Sequence, residues 1–207
     1  MLTVPARDEV ARRAPRLLAG LTSCGTGLSL MVLADLGLGP WEVLHQGLSE
    51  RSGVPIGTVG IVVGFLVLLG WVPLRQRLGV GTLSNVVIIG LVIDGILAVA
   101  PEPANPVARL ACLVAGVVLV GIGSGLYIGA GLGPGPRDGL MTAIAAKGYS
   151  LRLVRTVIEV SALAAGWLLG GSVGIGTLLF AFAIGPLVQL FLHRLAIPQP
   201  TLTAPAE

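Results

Sequence analysis

GVGTLSNVVIIGLVIDGIL, residues Gly79–Leu97, returns 95 positions later as GIGTLLFAFAIGPLVQLFL, Gly174–Leu192, without a gap. Gly79, Gly81, Thr82, Leu83, Ile89, Gly90 and Leu97 each meet an identical residue. At an offset of 96, Gly70-Trp71 meets Gly166-Trp167. At that offset Gly39-Pro40 also meets Gly135-Pro136, Glu42 meets Asp138 and Leu44 meets Leu140. Apolar sequence produces chance Leu and Val matches, so these carry little weight. The weight falls on GxGT, Gly-Trp and Gly-Pro-x-acid, which recur in the same order. An internal duplication follows.

The composition says where such a chain lives. Hydrophobic residues make up 54% of the 207 and charged residues 11%, with a mean hydropathy of +0.93. A soluble domain carries roughly 25% charged residues, so there is too little polar surface here for a water-exposed globule. Uncharged runs approach the roughly 20 residues that cross a bilayer. The net charge of +3 belongs to loops of a membrane protein and does not point to nucleic acid. Cys24 and Cys112 both fall inside apolar runs, read as packing residues, and have no metal-ligand spacing.

Six spans are expected. They run from about Leu17 to Leu36, Pro55 to Leu74, Val80 to Ala100, Val107 to Ala130, Leu151 to Leu169 and Val173 to Leu195. PEPANP after the third is a turn. Residues 1–16 then form an Arg-rich N-terminal segment and 17–100 the first three-helix repeat. Residues 101–106 are an external turn, 107–197 the second repeat, and 198–207 a disordered Pro-rich tail. With both termini cytoplasmic, eleven of the 13 Lys and Arg fall on inner ends. Only Arg51 and Arg109 fall outside, as the positive-inside rule asks. Three spans per half is an odd number, so the halves cross in opposite senses. The expected fold is an all-α polytopic membrane protein of two inverted three-helix repeats. In secondary transporters of this plan the substrate site lies near the repeat interface.

GLGPWEVLHQGLS and WVPLRQRLGVGTLSN in the first half resemble the YczE/YyaS/YitT-like family of bacterial integral membrane proteins. So do GLGPGPRDGLM, LVRTVIEV, GWLLGG and VGIGTLLFAFAIGPLVQ in the second. The resemblance covers roughly Leu17 to Leu195. It implies a small multi-spanning protein of the bacterial cytoplasmic membrane and brings no agreed substrate.

Each Gly-Pro motif opens a helix-like segment with an acid, Glu42 or Asp138, in its first turn. Pro is tolerated there, and the acid complements the positive helix end. Two readings stay open: an interfacial helix, or a re-entrant half-helix whose start points at a substrate. Irregular backbone at membrane depth survives only when buried in protein or lining a cavity. On the second reading Trp41, Glu42, His45 and Gln46 are candidates on one side and Arg137 and Asp138 on the other. In the fifth span Arg152, Arg155, Thr156 and Glu159 share a helix face. Glu159 lies roughly 12 Å into it, where an acid normally faces a bundle interior. Arg155 is placed to pair with it, either as a packing bridge or as part of a coupling site. Asp94 in the third span is a weaker candidate. Gly121, Gly125 and Gly129 form a small-xxx-small ladder for close helix approach, including a homodimer.

His45 and His193, the only histidines, are expected at opposite faces, and no GxxxxGK[ST] or HExxH motif occurs. An enzyme is therefore not expected, nor a cofactor or metal. The expected function is a small permease moving an unknown solute by alternating access, with protons as the candidate coupling ion. The rival is a non-transporting scaffold or assembly subunit, for which Arg155 and Glu159 form a closed, dry bridge.

Overall fold

Asn105 and Pro106 illustrate how the elements begin. The Asn105 side chain accepts a 2.9 Å bond from the Ala108 N–H and caps the helix that Pro106 opens. The computed structural model describes residues 7–195. Its eight helices are α1 (Arg7–Ala34), α2 (Pro40–Ser52), α3 (Ile56–Leu69), α4 (Val80–Leu97), α5 (Pro106–Gly129), α6 (Pro136–Ala145), α7 (Leu151–Leu168) and α8 (Ile175–Leu195). No strand occurs among the described residues. The expected tail, 198–207, lies outside them.

α1 starts ten residues before the expected span. Asp8 and Glu9 sit in its first turn and Arg13 pairs with Glu9 one turn on, so a polar helical extension forms ahead of the apolar run. α1, α4, α5 and α8 are each long and apolar enough to cross a bilayer. α2 and α3, bent by 115° at a short break, qualify only as a pair, which makes up to five spans rather than the six expected. α3 has 14 residues, roughly 21 Å of helix. α7 matches the fifth expected span in place, but Arg152, Arg155 and Glu159 make it too charged to qualify.

α1 and α5 form the central pair and run antiparallel. Arg13 reaches the Ala130 carbonyl at one end, Ser23 Oγ donates to the Leu119 carbonyl at 2.9 Å in the middle, and Arg109 meets Asp35 at the other. Small residues set the approach: a Cβ on Gly27 would stand 2.5 Å from the Gly116 carbonyl oxygen. α4 packs on α1, and α8 on α5. Gly25 lies against Val92 of α4, and Gly121 and Gly125 lie against Leu187 and Phe191 of α8. The ladder considered for a homodimer is thus occupied, at these two glycines, within one chain.

One loop contact is made twice. The Gly81 N–H donates to the Leu132 carbonyl at 2.9 Å, and the Gly176 N–H donates to the Leu36 carbonyl at 2.7 Å. In each case the loop before a Gly-Pro helix is held by the second GxGT glycine, in the first turn of α4 or α8. Gly37 and Gly133 adopt positive φ in these loops (100° and 130°), a conformation open to glycine. Both loops then lead into α2 and α6.

α2 lies across α7, and α3 touches α6. α3 also packs along α4, whereas α7 barely touches α8. Asp94 helps set the α3 position. It accepts from the Gly57 N–H at 2.6 Å and from Thr58 Oγ1 at 2.7 Å, so it caps the start of α3 from α4.

Candidate functional site at the meeting of two helix starts

Gly39 and Gly135 stand in extended backbone at the N-caps of α2 and α6, and neither helix start has a side-chain cap. The residues after the two prolines therefore project from bare helix ends. They meet each other. Arg137 Nη2 donates to Glu42 Oε1 at 2.7 Å, and the Arg137 guanidinium carbon lies 4.9 Å from the centre of the Trp41 ring. Glu42 is buried, its side chain 5% exposed, while that of Arg137 is 36% exposed. Both ends thus belong to one site.

Around this pair lies a cavity of about 420 Å³ to which all eight helices contribute. Of the residues expected at a site, Trp41, Glu42, His45, Arg137, Asp138, Arg155 and Glu159 line it. Asp94 does not: its carboxylate is taken up by the α3 cap. Among the described residues no ion pair within 4 Å joins Arg155 to Glu159. The two side chains share the cavity wall without closing a bridge. Among the described residues the Asp138 carboxylate has only a long contact, from the Tyr127 hydroxyl at 3.4 Å. The Trp41 indole N–H is buried with no hydrogen-bond partner among the described residues, so this ring contributes its face.

Gln46 points elsewhere. It accepts from the Ser172 N–H at 2.8 Å and ties α2 to the α7–α8 connection. On the other side Trp71 Nε1 donates to the Pro136 carbonyl at 3.1 Å and braces the start of α6 from below. Gly139 makes that possible, because a Cβ there would stand 2.1 Å from the Trp71 ring.

Sequence reasoning missed Tyr127, Phe180 and Ser124, which also line the cavity. Tyr127 offered a signal: a tyrosine deep in a glycine-rich span needs a partner for its hydroxyl. Phe180 offered none, since an apolar residue in an apolar span reads as packing. Gly185 and Gln189 of α8 line the cavity and are also exposed. The cavity is therefore open where α7 and α8 stand apart.

Residues 11–193 match the family described as a family of unknown function, DUF6198. A protein of Haemophilus influenzae, described only as uncharacterized, is 41% identical over 181 residues, covering 87% of this chain and 83% of its own. The uncharacterized membrane protein YczE of Bacillus subtilis is 35% identical over 197 residues, covering 93% and 89%. YyaS of Bacillus subtilis is 27% identical over 180 residues, covering 84% and 89%. No solved structure matches. An all-helical, multi-pass arrangement and near full-length similarity agree: this chain belongs to the DUF6198 family, among the YczE- and YyaS-like membrane proteins.

Proposed function

We propose that the protein is a small secondary transporter that moves a small solute by alternating access between two inverted three-helix repeats. In this reading α1, α3, α4, α5, α7 and α8 make six crossings. α2 and α6 are half-helices that meet near the centre. Both termini face the cytoplasm across the bacterial cytoplasmic membrane. The observation that carries the reading is the central cavity, on which both Gly-Pro helix starts converge. The antiparallel α1–α5 pair and the twin Gly81–Leu132 and Gly176–Leu36 contacts support the inverted repeat. Fold alone does not establish transport, so the weight rests on the side chains. Glu159 and Arg155 face the cavity unbridged, whereas a scaffold would close them into a dry pair. Glu159 is the group that couples solute movement to protons, and Arg155 on the same wall balances its charge. No cofactor takes part.

The test is exchange in proteoliposomes. Vesicles holding the protein are loaded with a metabolite extract, and efflux is compared with protein-free vesicles and with Glu159→Gln and Asp138→Asn. At least one solute is expected to move faster in the wild type and slower in both variants. Identical profiles in all four would end the transport reading. Topology is checked separately with single cysteines at positions 52 and 147, both exposed, in a chain lacking Cys24 and Cys112. Labelling of both from the same side would break the inverted repeat.

A further inference from the structure

The Arg137 guanidinium sits in a particular seat. A buried carboxylate holds one edge at 2.7 Å and an indole ring lies 4.9 Å away across its face. These are two interactions by which a protein recognises a free guanidinium or ammonium ion: a charge-assisted hydrogen bond and a cation–π contact. We propose that the cavity binds a small organic cation, an amine or a guanidinium, which competes with Arg137 for the seat between Glu42 and the Trp41 ring. This names the substrate class of the transport reading above and rests on it.

Three features support it. The first is charge. Glu42, Asp138 and Glu159 line the cavity against Arg137 and Arg155, three carboxylates to two guanidiniums. Of these five, only Glu42 and Arg137 are joined within 4 Å. The starts of α2 and α6 each add a partial positive charge, but Glu42 and Asp138 stand in those same first turns. An anion would have to sit among three carboxylates. The second is access to the occupant: Glu42 is enclosed, while Arg137 is partly exposed and lines the cavity. A cation can take the place of Arg137 and leave Glu42 where it is. The third is surface: Tyr127 and Phe180 join Trp41 on the cavity wall, and aromatic rings suit a weakly hydrated cation.

The probe set is propylguanidinium, neutral N-propylurea and anionic butyrate, three chains of similar size that differ in charge. Binding to the full-length protein in lipid nanodiscs is followed by calorimetry and tryptophan fluorescence. Propylguanidinium is expected to bind about tenfold tighter than N-propylurea, and butyrate weakest. Arg137→Gln removes the competitor and is expected to tighten propylguanidinium binding severalfold. Glu159→Gln and Asp138→Asn, at partly exposed sites, are expected to weaken it. Butyrate binding best, or Arg137→Gln weakening propylguanidinium, would overturn the proposal. If Arg137→Gln does not fold, unchanged affinity in both carboxylate variants overturns it. Flux separates the two readings. Cation binding without movement in proteoliposomes counts against transport alone. Movement of an anion or a neutral solute without cation binding counts against the cation alone.

Discussion

Trp71 and Trp167 occupy matching places in the two halves, each directly after a glycine, yet one is 1% exposed and the other 65%. The neighbours account for this. α3 is drawn onto α4, where a Cβ on Gly90 would stand 2.5 Å from the Gly57 carbonyl oxygen. Gly185, the counterpart of Gly90, has nothing within 4 Å of such a Cβ. α7 carries Arg155 and Glu159 where α3 carries Val59 and Val63, at the offset of 96. Gly57, Ile61 and Gly64 let α3 close against α4, while Arg155 and Glu159 on α7 face a cavity and α7 stands off α8. Similar motifs thus yield one closed half and one open half, and the open half supplies four of the five Asp, Glu and Arg side chains on the cavity wall.

The sharpest way to break this contrast is at the tryptophans. Trp71→Ala is expected to cost about 3–5 kcal/mol, as removal of a buried aromatic does. Trp167→Ala, on an exposed side chain, is expected to cost less than about 1 kcal/mol. Chemical unfolding in detergent micelles measures both, and equal losses would abolish the distinction. The glycines come next. Gly90→Ala drives a methyl into the Gly57 backbone and is expected to destabilise by about 1–3 kcal/mol. Gly185→Ala enters open space and gains helix propensity, so stability should hold or rise by up to about 1 kcal/mol.

Asp94 and Gln189 sharpen the contrast further. Asp94→Ala strips the α3 start of its cap and is expected to cost about 1 kcal/mol. Gln189→Ala, on the exposed α8 wall, should change stability by less than about 0.5 kcal/mol. Similar losses at both positions would show that α8 is held as α4 is. The smallest expected effect on stability is at Glu159. Glu159→Gln should leave unfolding within about 0.5 kcal/mol of wild type while changing the pH dependence of solute exchange. A large loss of stability there would instead mark Glu159 as a packing residue.

Much of the fold is legible from local signals. Asn105-Pro106 and the two Gly-Pro pairs mark helix starts, and apolar runs set the spans. α4 begins at Val80 and α7 at Leu151, where the pattern places them. α1 departs because acids and arginines in a polar segment support a helix that hydropathy alone does not register. The site was partly legible. Glu42, Asp138 and Glu159 stand out as acids in an apolar chain, and all three line the cavity. Asp94 stands out for the same reason and serves as a cap, because its use depends on Gly57, 37 residues away.

By itself the sequence determined that this is a helical membrane protein, with motifs shared between two halves and few charges to distribute. Those properties follow from composition, period and spacing, all of which act locally. Only the tertiary structure decided which charges meet: Arg137 with Glu42 across 95 positions, and not Arg155 with Glu159 one turn apart. The reason lies in close backbone approach. Glycine contacts between distant helices set which helix starts converge and which helix pair stays open, and no local pattern encodes those distances.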